Sequence, residues 1–168
     1  MATEPKTLYE TEWDFKAAIR DWDASEECNE LKSIIVGFMK DRPTWEIKNI
    51  AGFALGALSH RYLDGRAPRE QFQHALLLTL GNTLPGKQKK IFVQDPCNTD
   101  VDRSVLEKFD IAVLDDPDGS LKVDGSTVVC AISPTTALKQ MFCDLWQEQL
   151  EWPPIIIWDP VKDYDLEW

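Results

Sequence analysis

The chain has 168 residues, 43% of them hydrophobic, which is the size of one ordinary domain with enough apolar content for a core. Its 29 acidic and 18 basic residues leave a net charge of −11 spread over both ends and the middle, a surface that repels phosphate backbones and excludes nucleic acid as a partner class. No apolar stretch approaches the length that spans a bilayer, and Met1-Ala-Thr-Glu-Pro5 lacks the basic and apolar regions of a secretory signal; the expectation is a soluble, cytoplasmic or nuclear chain with no membrane partner.

In chain order, residues 8–40 read as an N-terminal helical layer. Leu31, Ile34, Ile35, Phe38 and Met39 recur at helical spacing, and Ser25 is placed to cap before Glu26 and Glu27. Pro43 ends the layer, and a first strand is expected at about 47–55, dividing the chain into a helical extension over 1–46 and an α/β domain over 47–168. Gly65-Arg-Ala-Pro68 opens a helix whose inward face is Phe72, Ala75, Leu76, Thr79 and Leu80, with His74 at its boundary, until Gly81-Asn82 and Pro85-Gly86 stop it. The basic run Lys87-Gln-Lys89-Lys90 reads as a solvated turn.

A second strand over 90–94 closes at Asp95-Pro96, and Thr99-x-x-Asp102 has the form of a capping box for a helix carrying Val105, Leu106 and Phe109. A third strand over 111–114 leads into the acidic turn Asp115-Asp-Pro-Asp-Gly119. The fourth, 127–132, is apolar on both faces, as a covered parallel strand requires. Ser133-Pro134 is placed to cap a helix with Leu138, Met141, Phe142, Leu145 and Trp146, and a fifth strand over 155–158 ends at Asp159-Pro160. Strand and helix in alternation predict a single Rossmann-like, three-layer α/β domain with a mostly parallel sheet of about five strands.

Cys28, Cys97, Cys130 and Cys143 are widely spaced with no Cys-x-x-Cys pair, and only His60 and His74 are available beside the carboxylates, so neither a disulfide framework nor a metal site is expected. Of the seven tryptophans, Trp13, Trp22 and Trp45 lie in the N-terminal third, and Trp146, Trp152, Trp158 and Trp168 near the other end. Their expected role is to pack both ends onto the sheet; the alternative is an aromatic patch for a protein partner or a second copy.

In parallel sheets the ligand crevice lies beyond the carboxyl ends of the strands. Gly56 to His60, Asp95 to Asn98, Asp115 to Asp118 and Ser133 to Thr136 fall at such ends. Gly52 and Gly56 permit close backbone approach, although their spacing is not G-x-G-x-x-G. Asp95 stands where nucleotide folds place the carboxylate that accepts ribose hydroxyls. A Ser133, His60 and Asp95 nucleophilic set is open at this level, with no spacing that singles it out.

Taken together, Ile50-Ala-Gly-Phe-Ala-Leu-Gly-Ala-Leu-Ser59, Gln73-His-Ala-Leu-Leu-Leu78, Phe92-Val-Gln-Asp95-Pro96, Asp102-Arg-Ser-Val-Leu-Glu-Lys-Phe109 and Thr127-Val-Val-Cys-Ala-Ile-Ser133 resemble the SRR1-like domain. That family is named for a plant protein of red-light and circadian signalling and has fungal and animal members, of which this short form resembles the fungal ones. The family's Gly-Leu-Gly-Ser is replaced by Ala54-Leu55-Gly56-Ala57, and its Pro-His-Cys by Ile132-Ser133-Pro134. The resemblance implies a regulatory role (circadian, microtubule-related or haem-linked) and retains Gln73, Asp95, Pro96 and Asp102.

The candidate ligand contacts are therefore Gly52, Gly56, Ser59, Gln73, Asp95, Asn98 and Asp102, and the candidate catalytic groups His60, Asp95 and Ser133. Three functions stay open: a regulatory or small-ligand-binding module; a small enzyme, either a nucleotide- or S-adenosylmethionine-dependent transferase or a cofactor-free isomerase or cyclase; and a partner-binding or self-associating protein.

Overall fold

The computed structural model describes residues 5–61, 69–132, 134–149 and 152–159. In order they form α1 (Leu8–Asp23), α2 (Glu26–Lys40), β1 (Asn49–Phe53), α3 (Arg69–Thr83), β2 (Lys90–Gln94), α4 (Asp100–Glu107), β3 (Ile111–Val113), α5 (Asp118–Leu121), β4 (Thr127–Ala131), α6 (Thr136–Gln149) and β5 (Ile155–Trp158). The helical stretch 8–40 divides at Ala24 and Ser25, where the Ser25 hydroxyl accepts the Cys28 N–H at 3.1 Å and so starts α2 as expected. Thr7 and Glu10 form a capping box for α1, and that bonding, with Arg61 beside it, holds the Glu10 carboxyl down at about 2.

All strand pairings are parallel, in the order β3-β2-β1-β4-β5. The pleat of β1 sends Ile50 to one face and Ala51 and Phe53 to the other. On the first face, Ile50, Val93, Ile111, Val128 and Cys130 pack beneath Phe15, Ile35, Leu77, Leu80 and Leu106 from α1 to α4. On the second, Ala51, Phe53, Phe92, Val129 and Ala131 meet Phe142 and Trp146 of α6, two fully buried rings stacked at 5.1 Å. Burying such large side chains stabilises the fold by about 1.5–3 kcal/mol each. The result is a three-layer α/β domain, thick on one face and thin on the other.

Several local expectations change. β1 is shorter than 47–55 because Ala54, at φ +53°, turns the chain out of the sheet. The cap of α6 is Thr135, whose hydroxyl accepts the Leu138 N–H at 3.3 Å, while Ser133 and the proposed helix opening at 65–68 lie outside the described residues. His74 is not a boundary residue; its ring is fully buried. Trp22 and Trp45 pack against the core and Trp146 is buried, but Trp13 and Trp152 are exposed, and Trp168 lies outside the described residues. The Cys130 thiol is buried as its setting implied, which pushes its pKa up to about 12.

Candidate functional site

The strand order reverses between β1 and β4, and folds of this order take their ligands in a crevice beyond the carboxyl ends of the strands at that point. Its described wall is the loop after β1. Gly56, at φ +77°, takes a left-handed turn that glycine adopts without steric cost. A Cβ there would also lie 2.5 Å from Cγ of Glu70, in the first turn of α3. Gly52 has a different purpose: a Cβ on it would meet the side chains of Leu55 and Leu77, so its smallness serves core packing.

The loop's backbone donors are taken by the protein's own carboxylates. Asp95 Oδ2 accepts the Gly56 N–H at 2.7 Å, and Oδ1 accepts the Cys97 N–H at 2.8 Å. Asp102, fully buried, receives more. Its Oδ1 accepts the Ser59 N–H at 2.7 Å, and its Oδ2 accepts the Ser59 hydroxyl at 3.1 Å and the Thr99 N–H and hydroxyl at 2.6 and 2.7 Å. The predicted Thr99–Asp102 capping box is present and reaches across to the β1 loop, 43 residues away in sequence. A buried charge needs this density of donors to be tolerated.

Asn98 follows Asp95 in a tight turn, its N–H donating to the Asp95 carbonyl at 3.1 Å, and both polar atoms of its side-chain amide are buried without a hydrogen-bond partner among the described residues. Ser59 is 1% exposed, and His60 beside it is exposed. Gln73 is half-buried on α3 and, among the described residues, makes no hydrogen bond to Asp95 or Asp102. Among the described residues, no three His, Cys, Asp or Glu side chains are grouped to hold a metal ion.

Three residues outside the candidate set read from sequence belong to this end of the sheet. Glu70 lies against Gly56. His74, one helical turn on, places Nδ1 2.7 Å from the Glu70 carbonyl oxygen, while its buried Nε2 has no partner among the described residues. Burial lowers the pKa of its ring, against the pull of Asp102, Asp95 and Glu70. Gln94 fastens the other side: its Oε1 accepts the Gly119 and Ser120 N–H groups at 2.7 and 3.2 Å, and its Nε2 donates to Asp116 at 2.8 Å. A histidine among leucines and a glutamine closing an apolar strand were the available signals. The Asp95 charge also raises the Cys97 thiol above its ordinary pKa, so Cys97 is not an activated nucleophile.

These features define a doubly wound α/β domain whose first crevice loop is clamped by carboxylates from the end of β2 and the start of α4. The chain belongs to the SRR1 domain family, whose model matches residues 25–168, from the cap of α2 onward. Comparison with curated proteins and with solved structures found no match to either. No helix among the described residues is long and apolar enough to cross a membrane.

Proposed function

We propose that this SRR1 domain is a regulatory small-ligand-binding module of the cytoplasm or nucleus, and that its crevice takes a hydroxyl-bearing ligand without phosphates, of the adenosine or S-adenosylmethionine kind. The observation that carries this reading is the occupation of the Gly56 and Ser59 N–H groups by Asp95 and Asp102. Loop N–H groups at this position cradle phosphate in nucleotide-binding folds. Here a phosphate would have to displace a carboxylate and then sit beside it. A sugar hydroxyl faces no such conflict, because the two Asp95 oxygens, which accept the Gly56 and Cys97 N–H groups, have lone-pair capacity left. The Asn98 amide, buried and without a partner among the described residues, adds donors and an acceptor at the same strand end.

Thermal shift with adenosine, S-adenosylmethionine, ATP and NAD tests the reading. A ligand at a hundred times its Kd adds about 2.7 kcal/mol. The expected result is stabilisation by the phosphate-free ligands, lost in Asp95→Ala; equal or greater stabilisation by ATP or NAD overturns it. Turnover of S-adenosylmethionine with an acceptor would move the same crevice into the transferase class.

One observation favours a second reading, a protein-partner surface. Tyr9 and Trp13 on α1 are stacked at 6.3 Å, and 73% and 61% exposed, where such rings serve as interface anchors. Sedimentation of the wild type and Trp13→Ala over a concentration series tests self-association through this pair.

A further inference from the structure

The connection from β3 to β4 runs over residues 114–126 and carries only α5, a four-residue helix. With α6 packed on Phe53, Val129 and Ala131, no full helix among the described residues lies over the face of β2 and β3 opposite α3 and α4. A trough of about 630 Å³ lies along this open half-face. Its floor is Ala112, which is exposed, and Leu114, with the edge of Phe92, the mostly buried register partner of Ala112, beside them.

The edges of the trough are basic. Lys89, Lys90 and Lys122 line it against a single carboxylate, Asp110, in a chain whose net charge is −11. Lys89 is anchored, its Nζ donating to the carbonyl oxygens of Gly81 and Gly86 at 3.2 and 3.5 Å. Lys90 and Lys122 make no ion pair among the described residues. The basic run read from sequence as a solvated turn thus forms one wall of a concavity.

We propose that this trough binds a small amphipathic organic anion, one with a flat apolar body that lies on Ala112 and Leu114 beside the edge of Phe92 and an acid group held between Lys90 and Lys122. The volume falls within the range of about 300–1,000 Å³ typical of small-molecule sites, and an apolar floor with a few charged groups at its edge is their usual composition. Removing two ammonium groups from water toward an anion over an apolar floor strengthens their attraction relative to an open surface. The trough begins at the amino ends of β1 and β2, at Asn49 and Lys90, whereas the crevice lies at their carboxyl ends, so the two proposals stand independently.

The test is fluorescence titration of the full chain with 1-anilinonaphthalene-8-sulfonate in the folded state, beside its neutral analogue N-phenyl-1-naphthylamine. The expected result is saturable one-to-one binding of the sulfonate, weakened about tenfold or more in Lys90→Gln with Lys122→Gln, and a weaker response to the neutral analogue. Ala112→Trp, which fills the floor, should abolish binding with circular dichroism unchanged. Lys32→Gln with Lys40→Gln removes the same charge from α2 and should leave binding intact. The proposal is overturned by absent saturation, by equal binding of the neutral analogue, or by equal loss in the α2 control.

Discussion

Asp102 and Ser59 are joined by two hydrogen bonds, Ser59 N–H to Oδ1 at 2.7 Å and Ser59 hydroxyl to Oδ2 at 3.1 Å, so the carboxylate that caps α4 also holds the loop leaving β1. The clamp places a helix start, a strand end and a loop in one rigid unit. Removing the carboxylate strands several buried donors at once, each costing about 1–3 kcal/mol if left unsatisfied. Asp102→Ala should therefore lose about 2–4 kcal/mol, and Asp102→Asn, which keeps one acceptor oxygen, less. Urea unfolding checks the order; an alanine variant within about 0.5 kcal/mol of wild type would show that the clamp contributes no stability.

Asp95 controls the neighbouring thiol. Its charge, together with burial and their hydrogen bond, raises the Cys97 pKa, so at a given pH less of the thiol is ionised. Asp95→Asn should lower that pKa and speed alkylation of Cys97 at pH 8, read by mass spectrometry against Cys28, Cys130 and Cys143 in the same sample. An unchanged pH profile of Cys97 alkylation would remove the carboxylate as the cause.

His74 makes stability depend on pH near neutrality. Its folded pKa lies below the ordinary 6.5, so as pH falls the unfolded chain takes up the proton first, and stability declines from about pH 7 downward. The slope from one such group is at most about 1.4 kcal/mol per pH unit. His74→Phe, which keeps an aromatic ring against Phe15, should flatten the curve between pH 7 and 5. Parallel curves for the two proteins would contradict this account.

The N-terminal layer is integral to the fold if Phe15 anchors it. That ring is fully buried, 4.9 Å from Phe109 edge to face, and Lys108 on the same side bonds Glu12 at 2.6 Å. Phe15→Ala should cost about 3–5 kcal/mol, and Trp13→Ala, on the exposed side of α1, less than about 0.5. Comparable small losses in both, measured by chemical denaturation, would make α1 a detachable extension.

Ser25, Thr99 and Asp102 announced their helix starts in the sequence because capping is a local event, decided within four residues. The five strands were legible for a related reason, although the first was read too long: short apolar runs between turn signals have few other uses in an α/β chain. The SRR1 resemblance and Asp95 at a strand end also came from linear pattern. The Asp95–Gly56 and Asp102–Ser59 bonds, the burial of His74 and the lysine-edged trough did not. Each joins residues brought together only when β1, β2 and β3 align and the short α5 leaves a face uncovered, and such pairings depend on distances that spacing along the chain does not contain.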